Sequence, residues 1–272
     1  MKILIRGAGD LASGVAWRLY QAGYKKILMT DIAVPTTVRR TVAFSPAIYQ
    51  GEATVEGVTG RLVTDEAGTE AAHAAGEIAV IADPGTSCLA WFKPDVLVDG
   101  ILAKYNTGTK IDDADLVLGM GPGFTAKVDV DFAIETKRGH YLGRIISEGS
   151  PVPDTGVPGN IAGFTSERII RAGADGVFKG LRKIGDLVKA GEELAVVKTE
   201  NGAEVVTYAN IAGVVRGMLQ DGVQVTEGMK SGDVDPRGEV DYCRSISDKA
   251  LAIGGGVLQA VSKYAHEHDL EK

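Results

Sequence analysis

Residues 2–31 read KILIRGAGDLASGVAWRLYQAGYKKILMTD, and the pattern of this segment indicates the fold class of the first half of the chain. Lys2–Arg6 is a short apolar run typical of a β-strand, and Lys26–Thr30 is a second one. Between them, Asp10–Ala22 carries apolar residues at helical spacing and is followed by a glycine. The stretch therefore predicts strand, helix, strand, with a glycine turn between the first strand and the helix.

This turn has the glycine pattern of a dinucleotide-binding unit. Gly7, Gly9 and Ala12 form a G-x-G-x-x-A pattern, and Gly14 follows on the helix. A strand that turns sharply into a helix points the first amides of the helix, and the positive end of its dipole, at a pyrophosphate. The pattern predicts a nucleotide or other phosphate ligand. The alternative is a tight turn whose helix end is capped internally.

Of two acidic residues near the turn, one favours a dinucleotide ligand and the other disfavours it. Asp31 ends the second strand, 24 residues after Gly7, where a carboxylate would accept a hydrogen bond from a ribose 2′-hydroxyl and favour NAD over NADP. Asp10 lies in the turn itself, where its charge would repel a phosphate; the alternative is that it caps the helix. We therefore expect NAD or another nucleotide, with both residues near the ligand.

The alternation of strands and helices continues beyond this unit. Three further apolar runs predict strands of a parallel sheet, at residues 78–82, 96–98 and 116–118. Asp83 and Asp99 each directly follow such a run, and ligands in open α/β sheets bind along this carboxyl edge. The two carboxylates are therefore candidate ligand-binding or catalytic residues, with helix capping as an equally good interpretation.

The segment Gly119–Thr125, GMGPGFT, follows the last of these runs. Gly121 and Gly123 would turn consecutive N–H groups inward as an anion nest, and Lys104 or Lys127 would add positive charge. The alternative is a strand-to-strand turn that requires positive φ angles.

Few other side chains are candidates for catalysis, because the sequence has no His-Glu-x-x-His, Gly-x-Ser-x-Gly or Walker pattern. His140 lies between two strand-like runs and is a candidate acid, base or ligand, or a hydrogen-bonded turn residue. Cys88 lies near a predicted helix start, where a lowered pKa would let it handle sulfur or selenium. The alternative for Cys88 is a buried small hydrophobic residue.

The second half of the chain contains an internal repeat. A proline-rich linker leads into Gly176–Leu181, which recurs 37 residues later as Gly213–Met218. Short strands with glycine turns, duplicated once, predict a small β-sandwich similar to the barrel-sandwich fold of biotinyl and lipoyl carriers. The hairpin at Glu200–Ala203 has no lysine at its tip. We therefore expect no covalent biotin or lipoate.

A glycine-rich helix is predicted at Ser247–Lys263. Gly254–Gly256 costs about 1 kcal/mol per glycine relative to alanine, so this helix must pack closely on something. We therefore predict an α/β fold: a Rossmann-like parallel-sheet domain with an inserted all-β barrel-sandwich domain. The first comprises residues 1–148, completed by the C-terminal helix at 241–272, and the β module spans residues 164–238.

The composition of the chain disfavours several classes of partner and site. The net charge is −7, which disfavours nucleic acid and anionic membranes as partners. The two cysteines have no metal-ligand spacing, so we expect no metal site. No apolar run approaches the ~18 residues of a membrane helix, and the N-terminal run lacks a signal-peptide cleavage pattern. We expect a cytoplasmic protein with a small-molecule nucleotide as partner; a homo-oligomer stays open.

Long segments of the chain resemble the YqeB family, whose members are called selenium-dependent molybdenum hydroxylase system proteins. The segments that carry the resemblance are residues 6–19, 39–57, 118–146, 231–238 (SGDVDPRG) and 246–260 (ISDKALAIGGGVLQA). The family is distantly similar to xanthine dehydrogenase accessory proteins. The resemblance implies a cytoplasmic accessory protein for such a hydroxylase, without assigning roles to individual residues.

Three functions follow from these observations. The first is a maturation factor that binds a nucleotide or nucleotide-bearing cofactor at Gly7, Gly9 and Asp31 and assists a molybdenum cofactor. The second is an NAD-dependent oxidoreductase, with His140 as proton donor. The third is a non-catalytic adaptor whose β module docks on the hydroxylase. The hydroxylase itself is excluded, because the chain lacks iron–sulfur cysteine spacing.

Overall fold

The computed structural model describes residues 1–271, which form two compact units. Unit 1 comprises residues 1–35, 43–155 and 246 onward. Unit 2 comprises residues 36–42 and 156–245, and it therefore includes a short segment that the sequence-based boundaries assign to the first domain.

Unit 1 is built from nine strands and five α-helices within the described residues. The strands are β1 (Lys2–Arg6), β2 (Lys26–Asp31), β3 (Glu52–Val55), β4 (Val58–Leu62), β5 (Ile78–Ala82), β6 (Val96–Asp99), β7 (Leu116–Met120), β8 (Phe132–Ile134) and β9 (Ile145–Ile146). The helices are α1 (Asp10–Gln21), α2 (Ala47–Gln50), α3 (Glu66–Ala74), α4 (Leu89–Phe92) and α5 (Asp248–Glu267). The predicted strand–helix–strand unit and C-terminal helix are confirmed as elements.

The strands form one mixed sheet in the order β3-β4-β5-β2-β1-β6-β7-β8-β9. The strands from β4 to β8 pair in parallel, whereas β3 is antiparallel to β4 and β9 is antiparallel to β8. Alternate residues of β1 enter opposite cores: Ile3 and Ile5 pack with α1 and α5, and Leu4 packs with Phe92 and Leu97. Both faces of the sheet are therefore covered.

Unit 2 contains two four-stranded antiparallel sheets and three 3-10 helices. Its strands are β10 (Ile169–Arg171), β11 (Gly176–Gly180), β12 (Leu187–Val188), β13 (Glu193–Lys198), β14 (Glu204–Tyr208), β15 (Gly213–Met218), β16 (Gln224–Val225) and β17 (Lys230–Asp235), and its 3-10 helices are Arg40–Val42, Ser166–Arg168 and Val240–Cys243. The sheet orders are β10-β17-β15-β12 and β14-β13-β11-β16. The repeated glycine-led segments, β11 and β15, therefore lie in different sheets.

The predicted fold class, a Rossmann-like parallel sheet with a barrel-sandwich insert, is wrong. The structure has instead a mixed nine-stranded sheet and two separate antiparallel sheets. The reason is that apolar runs and glycine turns specify where strands occur but not how they pair. Antiparallel edge strands at both ends of the large sheet, and the division of the repeat between two sheets, are properties of that pairing.

Within residues 1–271, no helix is both long and apolar enough to cross a membrane.

Candidate functional site

The carboxyl edge of the large sheet in unit 1 collects most of the residues predicted from the sequence. The parallel strands β1, β2, β5, β6, β7 and β8 all end there, and each continues into a loop. Strand β1 leads to β2 on one side and has β6 on the other, so a crevice between β1 and β6 is expected at this point. We take this edge as the candidate site.

The glycine turn after β1 is built for close backbone approach. Gly7 has a φ of +92°, and its N–H donates to the Thr30 carbonyl oxygen at 2.7 Å. A Cβ atom on Gly7 would lie 3.1 Å from the backbone of Gly100, so a side chain there would strain both turns. Position 7 therefore requires glycine, both for its positive φ angle and for its close approach to the Gly100 backbone.

Helix α1 begins at this turn without a side-chain cap. Gly9 is the N-cap residue, with extended backbone, and it has no side-chain oxygen to accept from the first helical amides. The internal cap that the sequence left open as an alternative is therefore absent at the N-cap position. A helix start of this kind directs its N–H groups and its positive dipole end outward.

Asp31 holds the turn in place from the end of β2. One carboxylate oxygen accepts from the Ala8 N–H at 3.1 Å, and the other accepts from the Ile32 N–H at 2.8 Å. Burial raises the pKa of Asp31 above its ordinary value, although these two hydrogen bonds act in the opposite direction. Asp31 is a positioning residue for the turn as well as a candidate ligand contact.

Asp10 has a basic residue near it that the sequence did not indicate. Lys249, in the first turn of α5, is half-buried and lies within electrostatic range of Asp10. Burial, with help from the charge of Arg138, lowers the pKa of Lys249, while Asp10, Asp154 and Glu135 act against that change. Within residues 1–271, Lys249 forms no ion pair and its side chain makes no hydrogen bond. Only the three-dimensional packing of α5 brings it to this edge.

Asp99 is a structural carboxylate. It is 1% exposed and accepts hydrogen bonds from Thr109 Oγ1 at 2.6 Å and from Arg6 at 3.1 Å, while its other oxygen accepts from the Ile101 N–H at 3.1 Å. The cluster fastens the loop after β6 to the end of β1. All the contacts of Asp99 are internal, so it is not placed to act on a ligand directly.

The loop after β7 is tightly packed rather than open. Gly121 has a φ of +83° and donates to the Ile134 carbonyl oxygen at 2.9 Å, and Gly123 has a φ of +106° and lies against the backbone of Tyr105. Lys104 forms an ion pair with Asp154 at 3.1 Å. The positive-φ interpretation of this loop is confirmed, and the Gly121 amide is not available to an anion.

Asp83 and Cys88 form a closed turn after β5. The Cys88 N–H donates to the Asp83 carboxylate at 2.8 Å, so Asp83 closes the turn that leads into α4. Burial acts to raise the pKa of Asp83, but hydrogen bonds from Cys88 and Ser87 outweigh it and lower the pKa. Burial, with the hydrogen bond and charge of Asp83, raises the pKa of Cys88 to about 12. The predicted lowered pKa of Cys88 is therefore wrong.

The remaining candidates have other environments. His140 is exposed in the loop between β8 and β9, with its ring 5.1 Å from that of Tyr141. Ala12 and Gly14 are buried in helix packing: a Cβ on Gly100 would meet Ala12, and a Cβ on Gly14 would meet Ala250. These residues permit close approach of backbone elements and do not line the edge.

Apolar side chains at the same edge were not predicted from the sequence. Ile32 and Ile101 are each 41% exposed, and Tyr105 is 71% exposed, in loops that follow β2 and β6. Leu102, next to Ile101, has a φ of +60°, a strained conformation for leucine that is often associated with functional loops. No group of three or more metal-ligating side chains occurs in the described part of the chain.

The fold and this edge define a mixed α/β protein with a glycine turn facing a strand-end crevice. Over 265 residues the chain is 49% identical to "Uncharacterized protein YqeB" of Escherichia coli (strain K12), an alignment that covers 97% of this chain and 48% of that protein. The chain is therefore a homologue of YqeB, which supports the predicted resemblance to the YqeB family. It spans about half the length of this curated relative.

No protein-family model matches the chain. Solved structures with some likeness include a succinylglutamate desuccinylase/aspartoacylase from Rhodobacter sphaeroides, with 21% identity, a TM-score of 0.24 and coverage of 33% of this chain and 29% of that one. An aspartoacylase family protein from Mesorhizobium loti has 13% identity, a TM-score of 0.29 and coverage of 86% and 84%. At these TM-scores the likenesses carry no conclusion about fold or activity.

Proposed function

We propose that this chain binds a nucleotide or a nucleotide-bearing cofactor at the carboxyl edge of unit 1, and that it serves as an accessory factor in the maturation of a selenium-dependent molybdenum hydroxylase. The observation that carries the binding part is the helix α1 N-terminus at Gly9, which has no side-chain cap and follows a turn fixed by Gly7 and Asp31. An anion at this position would accept from the first helical amides.

Electrostatics support a phosphate here in spite of Asp10. The Asp10 carboxylate alone would repel a phosphate, but Lys249 lies within its electrostatic range and offsets that charge. Lys249 forms no ion pair at contact distance within the described residues, so its ammonium group can also interact with a ligand. The exposed side chains of Ile32 and Ile101 would contact the apolar face of a base.

The maturation part of the proposal is supported by the resemblance to the YqeB family, whose members are called selenium-dependent molybdenum hydroxylase system proteins. Deleting the gene in a host that makes such a hydroxylase should leave that enzyme deficient in molybdenum cofactor or selenium, as measured by elemental analysis of the purified enzyme. A fully loaded hydroxylase from the deletion strain would contradict this part alone.

Thermal-shift measurements test the binding part. NAD, NADP, ATP, CTP and molybdopterin cytosine dinucleotide are screened against the wild-type chain and the variant Gly9→Val. The φ of Gly9 is −68°, so valine is tolerated by the backbone but obstructs the helix end. Gly85→Ala, where an added Cβ meets nothing within 4 Å, is the matched control at the β5 end of the same edge.

The expected result is a ligand-dependent rise in Tm for the wild type and for Gly85→Ala, which is lost in Gly9→Val. If none of the five compounds raises the Tm, or if Gly9→Val responds as the wild type does, the glycine turn is not the binding site.

A further inference from the structure

A second cavity lies at the opposite edge of the same sheet, where the parallel strands begin. It has a volume of about 360 Å³ and is lined by the first residues of β1 and β2 together with helices α3 and α4. Because Lys2 starts β1 and Arg6 ends it, the two edges are separated by the strand length, about 16 Å. The cavity is therefore a different site from the glycine turn.

Two lysines stand side by side at this edge. Lys2 and Lys26 are directly paired in the parallel register of β1 and β2, so their side chains leave the sheet on the same face with backbones about 5 Å apart. Like charges in paired positions destabilise a sheet. Within residues 1–271, neither lysine forms an ion pair with a carboxylate. An anion placed between the two ammonium groups would remove this repulsion.

The wall of the cavity next to these lysines is aromatic. Phe92 is 2% exposed, and the Trp91 ring lies edge-on to it with centroids 6.1 Å apart. The Lys2 ammonium lies 5.4 Å from the Phe92 ring centroid. A cavity of this volume is at the lower end of the range for small-molecule sites, which suits a ligand of about one ring.

His73 adds a neutral polar group to the lining. Its Nε2 is 2.9 Å from the Ile27 carbonyl oxygen, which can only accept, so Nε2 carries the proton and Nδ1 is an acceptor in the neutral ring. Burial lowers the pKa of His73, and the charges of Lys26 and Lys2 act in the same direction. Glu66 and Glu70 also line the cavity from α3, both exposed. Lys25 also lines the cavity, but its ammonium donates to the Tyr20 carbonyl oxygen at 2.8 Å, so Lys2 and Lys26 supply the positive charge for a ligand.

We propose that this cavity binds a small planar anion, a single aromatic ring bearing a carboxylate or phosphate group. The anionic group lies between the Lys2 and Lys26 ammonium groups, and the ring packs on Trp91, which lies against the buried Phe92 ring. Neither the resemblance nor the proposed nucleotide site accounts for this arrangement.

Fluorescence of Trp91 provides a direct readout, since the chain has two tryptophans and Trp17→Phe leaves only this one. Benzoate and phenyl phosphate are titrated into the Trp17→Phe chain, with benzyl alcohol as the neutral ring and inorganic phosphate as the anion without a ring. Isothermal titration calorimetry with the unsubstituted chain repeats the measurement, so the result does not depend on the tryptophan variant.

We expect saturable binding of benzoate or phenyl phosphate, with benzyl alcohol and inorganic phosphate each at least about tenfold weaker. Lys2→Gln and Lys26→Gln should each weaken binding about tenfold, the factor for one charge-assisted hydrogen bond. Lys189→Gln, which removes an exposed lysine of unit 2, should leave the affinity unchanged. Gly9→Val should bind as the wild type does, which separates this site from the nucleotide site.

Several results would overturn the proposal: no saturable binding of either aromatic anion, equal binding of benzyl alcohol, equal binding of inorganic phosphate, or undiminished affinity in both lysine variants.

Discussion

Gly14 of helix α1 faces Ala250 of helix α5, and a Cβ atom on Gly14 would lie 2.7 Å from the Cβ atom of Ala250. The glycine run of α5 also permits a close approach, to the segment between β8 and β9. A Cβ on Gly256 would clash with the Gly143 carbonyl oxygen, whereas a Cβ on Gly255 would meet nothing closer than 3.9 Å. Close backbone packing, which the glycine run predicts, is therefore required at position 256 but not at 255.

The first prediction compares these two adjacent glycines. Gly256→Ala should lower the free energy of unfolding by about 1–3 kcal/mol, because a helix backbone must shift to admit the methyl group. Gly255→Ala should raise it by about 0.5–1 kcal/mol, because alanine loses less backbone entropy on folding. Urea unfolding followed by circular dichroism measures both. Equal effects from the two substitutions would show that α5 does not pack in this way.

The second prediction concerns the buried pair of Arg6 and Asp99, whose side chains are 5% and 2% exposed. Asp99→Ala should destabilise the fold by about 3–5 kcal/mol, because it leaves the Arg6 charge buried without a carboxylate. The double variant Arg6→Met, Asp99→Leu should be more stable than Asp99→Ala, since it removes both charges.

Lys263→Ala serves as the surface control for this pair. Lys263 is 70% exposed where it pairs with Glu267, so its loss should change the free energy of unfolding by no more than about 0.5 kcal/mol. A small effect of Asp99→Ala, similar to that of Lys263→Ala, would mean that Asp99 is free to act on a ligand after all.

The elements of unit 1 were predictable where a local pattern specifies them. Strand β1, helix α1 and strand β2 each follow from apolar spacing and turn residues within one short stretch. Strand pairing and the pair of Arg6 with Asp99, 93 residues apart, depend on long-range packing that no local pattern encodes. The approach of Lys249 to Asp10 also depends on long-range packing. The sequence therefore indicated Asp10 but not the lysine that lies near it.

The third prediction concerns the reactivity of Cys88. With its pKa raised to about 12 and its side chain fully buried, the thiol should resist iodoacetamide at pH 8 in the folded protein. Cys243 is also buried with a raised pKa, so neither of the two cysteines should be labelled until the protein is unfolded in urea. Mass spectrometry of the labelled protein checks this, and rapid labelling of Cys88 in the native state would restore the reactive interpretation.

The same pKa predicts a pH dependence of stability. In the unfolded chain the thiol titrates at about 8.5, so the protonated form is favoured in the folded state. The resulting stabilisation is fully present below about pH 8.5 and is lost as the pH rises towards about 12. The difference in unfolding free energy between the wild type and Cys88→Ala should therefore decrease over this range. A constant difference would contradict the raised pKa.

Asp31 provides the last prediction, because burial raises its pKa while it holds the Ala8 and Ile32 amides. The unfolded carboxyl titrates at about 3.9, so the protonated form stabilises the fold below that pH and this contribution is lost as the pH rises through the higher folded-state pKa. An asparagine side chain cannot titrate in this range, so the stability of the wild type relative to Asp31→Asn should be greater at pH 4 than at pH 7. Urea unfolding of both proteins at the two pH values measures this difference. If the stability of the wild type relative to Asp31→Asn instead increased with pH, the ionised carboxylate would be the stabilising form. Its two amide hydrogen bonds would then outweigh the cost of its burial.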